Sequence, residues 1–246
     1  MIVGTANTIY RTLECRPDSY RGWFNQANQQ RELQQWQSAL FSYDKALEYY
    51  KDDYFAWYYR GKVLEELRQY REAIASFQQA CQYQPDNYWA WYDQGCILQD
   101  KLNQYQDAIN CLSHAKYNKP QDYWVTYRLG KAYYEEHQYL SALDFWGQSL
   151  QIRPHDYWSY YWIGECRSKL RQWDLAKSNY FQALLIKPED FWALYRIFII
   201  AQHQGLYREA ISYGEELLKL EPKHPDICMG LSVCYSILNI KKELLS

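Results

Sequence analysis

Seven cysteines, five histidines and a few neighbouring carboxylates are the side chains of this 246-residue sequence with the chemistry for nucleophilic, acid–base or metal-assisted reactions. Their spacing supports none of these. The cysteines stand at Cys15, Cys81, Cys96, Cys111, Cys166, Cys228 and Cys234, an odd number without a Cys-x-x-Cys pair. They read as small buried apolar residues in a reducing compartment, not as zinc ligands or a disulfide framework. His114, His137, His155, His203 and His224 are far apart and are expected at turns or exposed helix positions. Gly61-Lys62 and Gly130-Lys131 lack the upstream glycine of a phosphate loop, and no His-Glu-x-x-His or Gly-x-Ser-x-Gly run occurs. Acidic pairs such as Glu65-Glu66 and Glu135-Glu136 fit solvated helix faces better than acid–base pairs. The expectation is a chain with no catalytic residues, no metal and no cofactor.

The chemistry on offer is that of rings. Aromatic residues make up 19% of the chain, with 27 Tyr and 11 Trp, far from ordinary globular usage. They recur periodically: an aromatic opens a unit at Tyr20, Tyr54, Tyr88, Tyr123, Tyr157 and Phe191, and a seventh unit opens at Pro225, at spacings of 34, 34, 35, 34, 34 and 34 residues. With these as position 1, position 2 is Arg21, Phe55, Trp89, Trp124, Trp158 and Trp192, and position 5 is Phe24, Tyr58, Tyr92, Tyr127, Tyr161 and Tyr195. Positions 2, 5, 9, 12 and 13 share one face of a helix. Position 9 adds Asn28, Lys62 and Lys131 to that face, and both signs of charge alternate along it. Eleven rings at about 200 Å² each would bare roughly 2,200 Å², whereas soluble monomers seldom show an apolar patch beyond about 300–600 Å². Either the position 2 rings pack between neighbouring first helices, or a ladder of ring edges stays partly open and grips an extended or helical segment.

A 34-residue period is that of stacked helix hairpins, and small residues at fixed places supply the means of stacking. Position 8 is Ala27, Gly61, Gly95, Gly130, Gly164 and Phe198, and position 20 is Ala39, Ala73, Ala108, Ala142, Ala176 and Ala210. They let antiparallel helix backbones approach while rings at 4, 17 and 24 fill the wider spaces. Ser19, Asp53, Asn87, Asp122, Asp156 and Asp190 at position 34 are placed to cap the next helix, and Pro85, Pro120, Pro154, Pro188 and Pro222 end the one before. The extra residue of the third unit falls between Asp100 and Tyr105, where a turn absorbs it. In the sixth unit large and small trade places: Phe198 stands at 8 and Gly214 at 24, so the Phe198 ring is expected to fill the space beside Gly214.

These positions resemble the tetratricopeptide repeat family, over nearly the whole chain. The resemblance implies an all-α fold, a right-handed superhelical solenoid of antiparallel helix hairpins. It also implies that the first-helix face lines a concave groove for a partner. Residues 1–17 are then expected as a capping helix, 18–224 as six repeats, and 225–246 as a C-terminal capping helix followed by a polar tail at Lys241, Lys242 and Glu243. A partner would meet Phe24, Asn28, Phe55, Tyr58, Lys62, Trp89, Tyr92, Trp124, Tyr127, Lys131, Trp158, Tyr161, Trp192 and Tyr195. Tryptophan at position 2 departs from the family pattern. The clamp for chaperone tails, Lys at 5 with Asn at 9, is largely absent, since Asn28 is accompanied by Phe24.

Charge and hydropathy restrict the partner. With 27 basic and 29 acidic residues the net charge is −2, and neither sign forms a block, so nucleic acid is not expected. No apolar run is long enough for membrane insertion, and residues 1–11 do not read as a secretory leader, which suggests a cytoplasmic protein. The junction Pro85-Asp86-Asn87-Tyr88-Trp89 resembles repeat proteins of photosynthetic bacteria. The leading reading is a non-enzymatic scaffold or adaptor that binds a peptide or helical segment of another protein. Two alternatives stay open: a structural or oligomerising module, including a homodimer through the terminal helices or an excerpt of a longer array, and a carbohydrate or planar ligand stacked on the Trp ladder.

Overall fold

The protein's structure, a computed structural model, describes residues 18–244, with side chains through 239. Among the described residues there are thirteen helices and no strand. They divide between two compact units, Met1–Pro120 and Gln121–Ser246. The first unit holds three hairpins: α1 (Tyr20–Glu32) with α2 (Trp36–Tyr49), α3 (Tyr54–Glu66) with α4 (Tyr70–Tyr83), and α5 (Tyr88–Asp100) with α6 (Tyr105–Asn118). The second holds α7 (Tyr123–Glu135) with α8 (Tyr139–Ile152), α9 (Tyr157–Lys169) with α10 (Trp173–Ile186), α11 (Phe191–His203) with α12 (Tyr207–Leu220), and then α13 (Pro225–Leu244). The fold is all-α, a solenoid of stacked helix hairpins. The capping helix expected over 1–17 lies outside the described residues. The tail expected after residue 239 is instead helical through Leu244, as the end of α13.

Side-chain oxygens start every first helix. Ser19, Asp53, Asn87, Asp122, Asp156 and Asp190 each accept a backbone N–H two or three residues on, at 2.6–3.3 Å, which satisfies donors that the helix itself leaves unpaired. The second helices start differently. Their N-cap residues form no side-chain cap, and the turn before each contains one residue in the left-handed region: Gln34, Arg68, Asn103, His137, Arg171 and Gly205, with φ from 53° to 73°. In the second hairpin that turn closes through Gln69 N–H to Leu64 C=O, whereas in the third Gln104 N–H reaches back to Leu98 C=O, both at 2.9 Å. The residue inserted in the third unit is thus absorbed in the turn, as its position suggests.

All six alanines at position 20 are fully buried. The glycines at position 8 have a more specific task than close backbone approach. A Cβ added to Gly61, Gly95, Gly130 or Gly164 would lie 2.7 Å from the side chain at position 24 of the same hairpin, respectively Phe77, Leu112, Trp146 and Tyr180. Each glycine is the hollow into which one large buried side chain fits. In the sixth repeat the relation is inverted. A Cβ on Gly214 would meet Leu231 of α13 at 2.6 Å and the Phe198 ring at 3.1 Å, so Phe198 fills that space together with a residue of α13. Cys81, Cys111, Cys166 and Cys234 are buried, but Cys228 is exposed and Cys96 half-buried, a departure from the uniform burial expected of the thiols. No described helix is long and apolar enough to cross a membrane.

Candidate interaction surface of the first helices

The first helices of each unit present their position 2 rings to solvent. In the first unit Phe55 is 49% and Trp89 55% exposed, with Arg21 exposed at the matching place. In the second unit Trp124, Trp158 and Trp192 are 53, 52 and 59% exposed. What holds the other half of each ring is local. Every one stands edge-on to the ring at position 1 of its own helix, with centroids 5.0–5.3 Å apart, in the pairs Tyr54–Phe55, Tyr88–Trp89, Tyr123–Trp124, Tyr157–Trp158 and Phe191–Trp192. Such edge-to-face contacts orient a ring without enclosing it. The Arg153 guanidinium lies 3.9 Å from the Tyr123 centroid and 5.3 Å from that of Trp124, placing a cation beside the first indole of the second unit.

Position 5 behaves in the opposite way. Phe24, Tyr58, Tyr92, Tyr127 and Tyr195 are half-buried and Tyr161 is buried. Within each unit these side chains lean onto position 6 of the next first helix. Phe24 meets Tyr59 at 6.4 Å between centroids, Tyr58 donates to Asp93 at 2.7 Å, and Trp162 Nε1 donates to the Tyr127 hydroxyl at 3.0 Å. The wedge between first helices is therefore made by position 5, and the rings left open are those of position 2. Both positions lie on one helical face, so spacing alone does not separate them.

The polar members of the expected surface are engaged inside the chain. Asn28 accepts from the Tyr43 hydroxyl at 2.7 Å, Lys62 lies 2.7 Å from Glu65 and 3.5 Å from Asp93, and Lys131 is half-buried. Burial works against the Lys62 charge, but Asp93 and Glu65 outweigh it and hold its pKa above the ordinary lysine range. Burial likewise pushes the Asp93 carboxyl up, in spite of Lys62 and Tyr58. A charged cluster that sequence reasoning missed lies in the second unit. Glu165, 4% exposed, accepts from the Tyr180 hydroxyl at 2.6 Å, and Arg196 Nε lies 2.6 Å from the same oxygen. Burial disfavours the Arg196 charge, yet Glu165 and the Tyr161 hydroxyl raise its pKa further. The signal for it in the sequence is Glu at position 9 followed by Arg at position 6 one unit later.

The arrangement can stack, cover and hydrogen-bond at its rim. Among the described residues no three His, Cys, Asp or Glu side chains gather where they could hold a metal. Residues 54–87, which are α3, α4 and the next cap, match a profile described as Tetratricopeptide repeat, and 76–110 match a second profile of that description. Residues 36–67, which are α2 and α3, match the Protein prenyltransferase alpha subunit repeat, a pairing of helices offset by one. No curated protein matches the sequence. Among solved structures, the C-terminal part of a TPR repeat-containing protein from Cytophaga hutchinsonii is similar with a TM-score of 0.76 and 21% identity, over 91% of this chain and 92% of that one. YrrB, described as a TPR protein with an unusual peptide-binding site, is similar with a TM-score of 0.66 and 18% identity over 76% of this chain and 96% of its own. MamA is similar with a TM-score of 0.63 and 22% identity, over 66% and 94%. At these identities the likeness is one of fold, a TPR-like scaffold. The two repeat profiles thus identify tetratricopeptide repeats within residues 54–110, and the other hairpins share their fold.

Proposed function

We propose that the protein is a non-catalytic interaction scaffold that binds a peptide or helical segment of a partner protein through its open position 2 rings, foremost Trp124, Trp158 and Trp192. The observation that carries this reading is their half exposure on three successive first helices of one unit. An indole of about 200 Å² that is half open bares about 100 Å², so the three together offer about 300 Å². That sum reaches the lower end of the range of about 300–600 Å² for the largest apolar patch of a typical soluble monomer, and such patches are often functional. Rings held by an edge contact lose little conformational freedom on binding, and tryptophan is enriched among residues that dominate binding energy. The description of YrrB as having a peptide-binding site supports the reading by analogy of fold.

The test is selection of peptides from a displayed random linear library on the wild-type protein, followed by titration calorimetry of the enriched sequences. Trp158→Ala is expected to weaken binding by about 30-fold, the equivalent of about 2 kcal/mol at an interface hot spot. Trp124→Ala/Trp158→Ala/Trp192→Ala is expected to abolish it while leaving the melting transition cooperative. Peptides that bind the triple variant as tightly as the wild type would remove the ladder from the account.

A further inference from the structure

Position 7 of a first helix faces the groove between the second helices on either side of it, and the repeats fill that place differently. In α3 it is Arg60, whose Nε lies 2.6 Å from Asp44 of α2 and whose guanidinium donates to Ser76 of α4 at 2.6 Å. In the second unit it is Leu129, Ile163 and Ile197, all buried. In α5 it is Gln94, only 4% exposed, and its Oε1 is buried with no hydrogen-bond partner. Reversing the carboxamide would put N–H donors there instead and leave the same need for a partner. An unmade hydrogen bond of this kind is costly, and an apolar side chain at the same register serves elsewhere in the chain.

Gln94 forms the floor of a cavity of about 630 Å³ between α4 and α6. One wall is Arg71, Ile74 and Gln78 of α4; the other is Asp107, Asn110 and Cys111 of α6. The four-residue turn that absorbs the inserted residue contributes Leu102 and Gln104 to one end. The wall from Arg71 to Gln78 is about 10 Å long at 1.5 Å per residue, which an extended chain covers with about three residues.

The lining selects among ligand classes. One guanidinium and one carboxylate balance, so a phosphate-rich or polycationic ligand meets no matching field. No ring lines the groove in a chain that is 19% aromatic, so it offers no platform for a sugar or a planar heterocycle. Four carboxamides, Gln78, Gln94, Gln104 and Asn110, each present a donor and an acceptor, the complement of a peptide group. We propose that this groove is a second binding site, taking about three residues of an extended, uncharged polar peptide whose main-chain amide pairs with the Gln94 carboxamide. The site is separate from the position 2 ladder in both place and chemistry.

The experiment begins from the Phe55→Ala/Trp89→Ala/Trp124→Ala/Trp158→Ala/Trp192→Ala variant, so that no position 2 ring takes part. A displayed library of random linear heptapeptides is selected on it, and the most enriched sequence is synthesised and titrated. Enrichment of Asn, Gln, Ser and Gly over aromatic residues is expected. Gln94→Leu, which copies Leu129, is expected to raise the melting temperature and to weaken that peptide at least tenfold, and Asn110→Ala, an exposed wall residue, to weaken it severalfold with no change in melting. Failure to enrich any peptide would overturn the proposal, as would unchanged affinity in both variants, and Gln94 would then be a solvated polar residue only. Neither result bears on the ladder, which is read on the wild type.

Discussion

A methyl group placed on Gly164 would sit 2.7 Å from the Tyr180 ring, and that ring cannot retreat. It is fully buried, and its hydroxyl is fixed to Glu165 at 2.6 Å. Gly147 of α8 is the opposite case, since a Cβ there would find nothing within 4 Å. Both are helical, so alanine gains roughly 1 kcal/mol of helix propensity at either place. At Gly164 overpacking near the upper end of about 1–3 kcal/mol outweighs that gain. Urea unfolding should therefore give opposite signs: Gly164→Ala less stable by about 1–2 kcal/mol, Gly147→Ala more stable by about 0.5–1 kcal/mol. Equal shifts for the two would mean that the hollow at position 8 is not shaped by the ring at 24.

Between elements, four of the first-helix caps, two in each unit, also receive the opening ring of the repeat before them. Tyr54 donates to Asn87 at 2.7 Å and Tyr157 to Asp190 at 2.5 Å, while the Tyr20 and Tyr123 hydroxyls are bonded to Asp53 and Asp156. Asp190 is the most enclosed of these caps, at 5% exposure, and it also accepts from Ala193 N–H at 2.9 Å and pairs with Lys187 at 2.8 Å. Burial alone would raise its pKa, but Lys187, the Tyr157 hydroxyl and the Ala193 amide together hold it below the ordinary carboxylate range. The folded state thus binds its proton less readily than the unfolded chain. The stabilisation is complete above about pH 4 and is lost as pH falls through the lowered value. Asp190→Ala should cost about 2–3 kcal/mol at pH 7, from a lost cap and a hydroxyl left without its acceptor. The difference from wild type should shrink in denaturant titrations near pH 2.5; a difference independent of pH would refute the role of the charge. The caps themselves were legible, because residue type and register coincide at position 34. Their second partner was not, because the Tyr–Asp bond spans 33 residues and nothing local announces it. Nor were the left-handed turns legible from Gln34, Arg68 and Arg171, whose side chains show no preference for that backbone; Asn103, His137 and Gly205 do. The open and wedged rings of positions 2 and 5 were indistinguishable for a similar reason, being settled by what the adjoining repeat presents at position 6.

Across the whole molecule the 34-residue period reads as uniform, yet the two units are held together by different chemistry. At position 7 the first unit carries Gln26, Arg60 and Gln94, and the second carries Leu129, Ile163 and Ile197. The second unit also has α13, whose Ile227, Leu231 and Cys234 are buried in one cluster with Phe198 and Leu217. Stacked repeats gain stability mainly from the interfaces between neighbours, and about three repeats are needed before those interfaces outweigh the entropy of ordering the chain. Residues 121–246 meet that condition with three hairpins and a further helix, and at position 7 their interfaces are closed by apolar residues that need no hydrogen-bond partner. The fragment 121–246 is therefore expected to fold alone. Its circular dichroism should be helical, its thermal transition cooperative, and its Trp124, Trp158 and Trp192 as accessible to acrylamide as in the full chain. A fragment that is helical but melts without cooperativity would show that its hairpin interfaces are too weak to carry the fold, and the apolar position 7 would then have no energetic part in setting this unit apart.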